Sequence, residues 1–386
     1  MKALILSCNT GSGHNACAAA VQEALAARGV PCDICDGLSF VSERISRFIA
    51  RWHVRFYRSM PKLYGLGYSF AERSVKPGGG DSLAFRFFSL GAGALRAHIV
   101  GGGYDTVICT HLFPAMMLTE LQRRDPLPLR TAFISTDYTA SPGYESIDVD
   151  WCFTPAPQLV DQFVKPGMPA SRIVGCGIPV SRAFQVRGDR GAARRALGIG
   201  EDRRHLLVMT GSMGCGPLER VLAKLYAKVG DDVEISVVCG TNRKLLRRLN
   251  RRFAGRRNIH IHDYVSQISL YMDSADLYLT KPGGLSVSEA LSKRLPMALL
   301  QTVEGCETYN MRYCLALGAA EAASRTDDAV ELCARLIRDD AALERMRERM
   351  SGLFERPAAE VVCDRLMDEP PRGAATGPAA APSPAV

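Results

Sequence analysis

Leu277-Tyr278-Leu279-Thr280-Lys281-Pro282-Gly283-Gly284-Leu285-Ser286-Val287-Ser288-Glu289-Ala290 is the stretch on which the fold turns. Its first four residues have the length and apolar character of a strand buried on both faces. Pro282-Gly283-Gly284 breaks that strand, and a helix is expected to follow. The same order stands upstream. There His205–Thr210 runs into Gly211-Ser212-Met213-Gly214-Cys215-Gly216, then into a helix with Pro217 in its first turn. That helix sets Leu218, Val221, Leu222 and Leu225 on one face. Further strands are expected at Glu234–Cys239, Ile259–Ile261 and Met297–Leu300. Short strands alternating with helices build a parallel sheet covered on both sides.

The first half repeats the pattern. Lys2–Ser7 reads as a strand, Gly11-Ser12-Gly13-His14 as a loop, and Ala16 to Arg28 as a helix. Strands follow at Thr106–Thr110, Thr131–Ser135 and Trp151–Thr154. A chain of 386 residues exceeds one comfortable core. The expectation is an α/β protein of two Rossmann-like domains facing a cleft. The first spans 1–180 and the second 205–368, with the last helices free to pack back on the first. The Arg- and Gly-rich stretch ending at Arg204 makes 181–204 the linker. Pro, Ala and Gly dominate 369–386, which reads as a disordered tail.

Composition narrows the class. Hydrophobic content of 47% and charged content of 23% are those of an ordinary globular protein. The opening apolar run is too short for a signal peptide, and no stretch is expected to reach membrane-spanning length. Thirteen scattered cysteines suit a reducing cytoplasm. Cys32 and Cys35 form a lone CxxC without a second pair, the usage of plain strand residues. A net charge of +8 admits anionic partners of several kinds, but no nucleic-acid module accompanies it, so no nucleic-acid partner is expected.

Each glycine loop follows a strand and precedes a helix. Glycine lets backbone approach a ligand, and the free N–H groups of a helix start attract an anion such as pyrophosphate. Either loop alone also fits a tight turn that needs glycine anyway. Two in one domain, at the carboxyl ends of parallel strands, point to a ligand. Glu289, in the second turn after Gly284, is placed to accept hydrogen bonds from ribose hydroxyls; the plain alternative is a solvated helix residue.

The run Ala275–Ala290 resembles the donor-site signature of the family-28 glycosyltransferases, and more narrowly that of the diacylglycerol glucosyl- and galactosyltransferases. Gly11-Ser12-Gly13-His14-Asn15-Ala16 is similar to their GxGHxxAA opening. Thr136-Asp137-Tyr138 resembles their TDY element and Gly177-Ile178-Pro179-Val180 their GIPI, so the likeness runs in order along residues 1–320. It implies a GT-B fold, with the acceptor in the first domain, a UDP-hexose in the second, and no cofactor or metal. Carried over, Gly211, Ser212, Gly214, Gly283, Gly284 and Ser286 contact the diphosphate and Glu289 holds the ribose. Tyr264 and Val265 offer backbone groups to uracil, and Glu307 and Asn310 match the sugar-binding element. Where that element has glutamine this chain has Cys306, and Glu304 replaces a proline, so the identity of the sugar is left open.

His14 is the candidate general base: imidazole titrates near neutrality, and attack of a hydroxyl on an anomeric carbon needs its proton removed. Another view makes it an orienting group for the acceptor, with Asp137 in support. Asp148-Val149-Asp150 spells DxD, away from the donor site, and no metal role is assigned to it.

Between Glu43 and Lys62 lie six basic residues, among them Arg44, Arg47, Arg51 and Arg55, and one acid. Phe48 and Trp52 recur among them at helical spacing. Such a helix suits an anionic membrane surface, the alternative being a helix packed on its own domain. The expected enzyme transfers glucose or galactose to a lipid hydroxyl, diacylglycerol, while attached peripherally to the inner membrane face. The stretch after Tyr138 lacks a histidine that the family often carries, which makes the acceptor less closely specified than the donor. Rival readings are an N-acetylglucosamine transferase acting on another lipid, a UDP-sugar 2-epimerase, and a non-catalytic UDP-sugar sensor.

Overall fold

A computed structural model describes residues 1–9, 11–49, 82–214, 216–300, 305–368 and 370. Two six-stranded sheets, parallel throughout, carry the chain. The first contains β1 (Ala3–Ser7), β2 (Cys32–Asp36), β3 (Thr106–Cys109), β4 (Arg130–Ile134), β5 (Trp151–Thr154) and β6 (Ile173–Gly175). Their spatial order is β2-β1-β3-β4-β5-β6. Around them lie α1 (Ser12–Ala26), α2 (Leu83–Phe88), α3 (Ala92–Gly102) and α4 (Leu112–Arg124). Every residue of β1 and β3 is buried, which is why both read as unbroken apolar runs and not as alternating ones.

After α5 (Arg182–Gln185) and α6 (Arg190–Leu197), the second sheet is built from β7 (Arg204–Met209), β8 (Val233–Val238), β9 (Ile259–His262), β10 (Leu277–Thr280), β11 (Met297–Leu300) and β12 (Ala320–Ala323). Its helices are α7 (Leu218–Val229), α8 (Arg243–Arg252), α9 (Ile268–Ser274), α10 (Gly284–Lys293), α11 (Cys306–Leu317), α12 (Thr326–Leu336) and α13 (Asp340–Arg349). The order β9-β8-β7-β10-β11-β12 is the doubly wound Rossmann order, with its reversal between β7 and β10. The last helix, α14 (Ala358–Asp368), returns to pack on α1, where Arg28 and Asp364 pair at 2.8 Å.

The expected linker, 181–204, contains α6, started by the Asp189 side chain on Ala192 N–H at 2.7 Å and ended by Gly198 in the left-handed region. Buried Arg194 fixes α6 to Asp276 of the second half at 2.6 Å. Two expectations are corrected. His14 lies inside α1 and not in a loop: the helix already begins at Ser12 and takes in Gly13. Finally, Leu83–Gly102 does have the length and composition of a membrane span. A 3₁₀ turn at Ser89–Gly91 interrupts it; Phe85, Leu95 and Ile99 are buried in the first half, while Leu83, Leu90 and Val100 are exposed.

Candidate functional site

The carboxyl ends of the two sheets face each other, and both chain reversals open there. In the first sheet the reversal lies between β1 and β3. His14, one turn into α1, places Nδ1 2.8 Å from the Thr110 carbonyl oxygen and 3.0 Å from Thr136 Oγ1. A carbonyl can only accept, so Nδ1 carries the proton and Nε2 keeps the basic lone pair. His111, at the end of β3, stands edge-on to His14 with ring centroids 4.5 Å apart. Its Nδ1 accepts the Phe113 N–H at 3.1 Å as the cap of α4, which leaves the proton on Nε2. The two rings therefore hold opposite tautomers, one basic and one donating.

In the second sheet the reversal brings together the loops after β7 and β10. Gly283 caps α10 without a side chain, so the first N–H groups of that helix are left for a ligand. Gly211 and Gly214 have φ of +75° and +54°, and a Cβ on Gly214 would stand 2.2 Å from the Cys239 carbonyl oxygen. Only glycine fits there. Lys281 lies between the loops. Its Nζ is 3.9 Å from the points where Gly211 and Gly283 would carry a Cβ, and it pairs with Glu307.

Glu289, in the second turn of α10, is half-buried, and burial pushes its carboxyl pKa up to about 8. No described residue hydrogen-bonds it or pairs with it, although a carboxylate so placed normally acquires a donor. Ser286 is on the same helix, one turn nearer its start. Tyr264, exposed, and Val265, half-buried, lie in the connection from β9 to α9 at the same end of the sheet.

Thr136-Asp137-Tyr138 joins the halves. Asn310 accepts the Tyr138 N–H at 2.7 Å and donates to Asp137 Oδ1 at 2.8 Å and the Pro282 carbonyl at 3.0 Å. Its amide thereby fastens the two halves, a role beside the expected sugar contact. Asp137 does not touch His14: its carboxylate is held by Asn310 and the Cys306 thiol. Burial first, then the charge of Glu307, raises its pKa to about 6. Tyr138 adds a hydroxyl contact to Ser288 at 3.0 Å and a stack on Tyr313 at 4.3 Å. Ser12 and Ser212 meet across the cleft at 2.7 Å. Cys306 also lies 3.6 Å from Ser141, so the position of the family's glutamine faces the first half.

Reading the sequence alone passes over Lys281 and His111. Asking which side chain stands at the carboxyl end of each strand beside a reversal finds both. Of the basic helix, residues 43–49 are helical, with Arg44 and Arg47 exposed and Phe48 56% exposed. Arg51, Trp52 and Arg55 lie outside the described residues. Asp150 of the DxD accepts both the N–H and the hydroxyl of Thr131, at 2.8 and 2.7 Å, a bond that secures β4.

Comparison with known proteins bears on the fold and the family. A model of monogalactosyldiacylglycerol (MGDG) synthase matches residues 14–180, and one of the glycosyltransferase family 28 C-terminal domain matches 205–350. The chain is 28% identical over 263 residues, 68% of its length and 67% of the relative's, to a processive diacylglycerol beta-glucosyltransferase of Staphylococcus carnosus. It is 25% identical to one of Bacillus cytotoxicus over 374 residues, 95% and 94% of the two chains. The crystal structure of Acinetobacter baumannii MurG superimposes with a TM-score of 0.64 at 13% identity, over 96% of this chain and 100% of that one. Fold and matches together define a hexosyltransferase of the GT-B architecture. The chain's first half matches the MGDG synthase model and its second half the family-28 C-terminal domain, consistent with the family-28 group.

Proposed function

We propose that this transferase moves glucose or galactose from a UDP-sugar to a lipid hydroxyl with inversion, and that its acceptor is diacylglycerol. The observation that carries the donor reading is Glu289. A half-buried carboxylate without a partner, behind an uncapped helix start, suits a ribose that supplies two hydroxyl donors while the diphosphate sits on the α10 amides. Lys281 adds a positive charge where the β-phosphate would lie.

In the transfer, Nε2 of His14 takes the proton of the acceptor hydroxyl as its oxygen attacks the anomeric carbon. The carbon–oxygen bond to the diphosphate breaks on the opposite face, and UDP departs with the electron pair. Its developing charge is met by amide groups already in place, and no metal is invoked. Lipid acceptors are supported by the diacylglycerol-glucosylating relatives. Exposed Arg44, Arg47 and Phe48 support peripheral attachment at the anionic inner face of the membrane.

Incubation with radiolabelled UDP-glucose, UDP-galactose and UDP-N-acetylglucosamine, with diacylglycerol in anionic vesicles, tests the proposal. Label extracted as a β-linked monoglycosyl lipid is the expected result. Free sugar or epimerised nucleotide sugar without glycolipid rejects it.

A further inference from the structure

Helix α10 has two ends, and the second lies where the chain crosses between the halves. It stops at Arg294, whose φ of +51° makes it the non-glycine residue with positive φ among those described. Helices α3, α6 and α11 end in the same left-handed conformation on Gly103, Gly198 and Gly318. An L-residue at such a position costs backbone energy that glycine avoids, so retaining arginine points to a use for its side chain. Beside it, Lys293, 1% exposed, donates to the Val186 carbonyl and pairs with Asp273 at 2.7 Å. Asp273 in turn accepts the Gly188 N–H at 3.0 Å, so the connecting segment is held against the end of α10.

Two cavities of about 270 Å³ each adjoin this point, and Arg187 and Arg294 line both. One is bounded by Gly177 and Ile178 of the outgoing crossing and by Leu353 and Phe354 of the returning one. The other is bounded by Arg190, Lys293 and Arg347, and by the carboxylates of Asp189 and Asp273. Neither Arg187 nor Arg294 makes a side-chain hydrogen bond or ion pair with any described residue. The carboxylates nearby are largely committed: Asp189 caps α6, Asp273 serves Lys293, and Asp276 serves Arg190 and Arg194. Glu355 lies on the rim of the first cavity. Crowding of like charge is felt at Arg190. Its pKa is depressed by burial against the pull of Asp276, and Arg347, Arg194 and Arg187 depress it further.

We propose that Arg187 and Arg294, backed by Arg190, form a second anion site at the crossing, which takes a soluble phosphate ester or pyrophosphate. Such an anion bridges the connecting segment and the far end of α10, and so restrains how the two halves close over the cleft. The site is separate from the proposed donor site and does not depend on it.

Calorimetric titration of the full chain with pyrophosphate, under saturating UDP, tests this. Binding that persists with UDP present is expected, weakened at least tenfold in both Arg187→Ala and Arg294→Gly. Arg294→Gly places glycine where φ is positive, so it should melt no lower than the wild type, and a lost site cannot then be ascribed to misfolding. Slower hydrogen exchange at 350–357 in the wild type alone is the conformational counterpart. If UDP itself does not bind, the titration is run without it on a Lys281→Ala background, which separates failure of the donor reading from failure of this one. Absence of UDP-resistant binding, or equal affinity in the arginine variants, overturns the proposal. Competition by phosphatidylglycerol vesicles overturns the soluble ligand in favour of a lipid headgroup.

Discussion

Glu289 holds a proton that the donor must displace. Its pKa of about 8 in the unliganded protein lies above the 4.5 of an ordinary glutamate, so the carboxyl is mostly neutral at pH 7. Ribose hydroxyls bind the ionised form better, so UDP binding at pH 7 should release close to one proton. Affinity should rise with pH up to about 8 and then level off. Calorimetry in buffers of different ionisation enthalpy counts that proton, and Glu289→Gln should abolish both the release and the pH slope. The sign for stability is opposite. The folded state keeps a proton that the unfolded chain gives up, so this residue's contribution to stability falls as pH rises from 4.5 to about 8. A melting temperature that rises through that window in the wild type relative to Glu289→Gln contradicts the assignment. His14 belongs to the same scale. With Nδ1 tied to Thr110, it is pre-set as a base, and His14→Ala should lower kcat by ~10²-fold or more while UDP affinity stays unchanged. Steady-state kinetics together with a UDP titration separate the two effects, and an equal loss of both would make the residue structural.

Helix α10 is the element where donor site and domain contact coincide. A Cβ on Gly284 would stand 1.9 Å from the Thr136 carbonyl oxygen and 3.2 Å from Asp137 Oδ1. The same glycine that leaves helix amides open for an anion thus also lets the first half dock on the start of the helix. Gly284→Ala should therefore do more than crowd the diphosphate. It should push the Thr136 loop away, at a cost of ~1–3 kcal/mol, and lower kcat/KM even at saturating donor. Scattering that shows a more extended particle would accompany the loss; full activity with an unchanged profile would refute the coupling. The sequence announced both glycine loops because a strand followed by Pro-Gly-Gly has few other readings. It was silent about what the loops touch, since Thr136 lies far away in the chain and only the packing of the halves brings its carbonyl to Gly284. His14 shows the same limit: its residue type suggested a base, but the tautomer depends on Thr110, which reaches it across the sheet reversal.

At the scale of the molecule, two Rossmann-like sheets were legible from alternating periodicity, while the bonds between them were not. The strands β6 and β12 do not stand out because Ile-Val-Gly and Ala-Glu-Ala-Ala are only partly buried and form no apolar run, and α6 is hidden by its arginines, one of which is buried on Asp276. Asn310 is the clearest case of a role decided by assembly. Its residue type is compatible with gripping a sugar, and both ends of its amide also bond Tyr138, Asp137 and Pro282. It is fully buried and sits where the two halves meet. Asn310→Ala would leave the Tyr138 N–H and the Pro282 carbonyl without that partner, each at a cost of ~1–3 kcal/mol. Because these groups belong to different halves, the loss falls on the contact between sheets rather than on either core. Scanning calorimetry should therefore turn one cooperative transition into two. UDP stabilises only what binds it, by ~2.7 kcal/mol at a hundredfold excess over Kd, so in the variant it should raise the transition of the second half alone. In the wild type it should raise the whole. A single transition in the variant, shifted by UDP as in the wild type, would mean that Asn310 does not couple the halves and that Tyr138, with its contacts to Ser288 and Tyr313, is sufficient to do so.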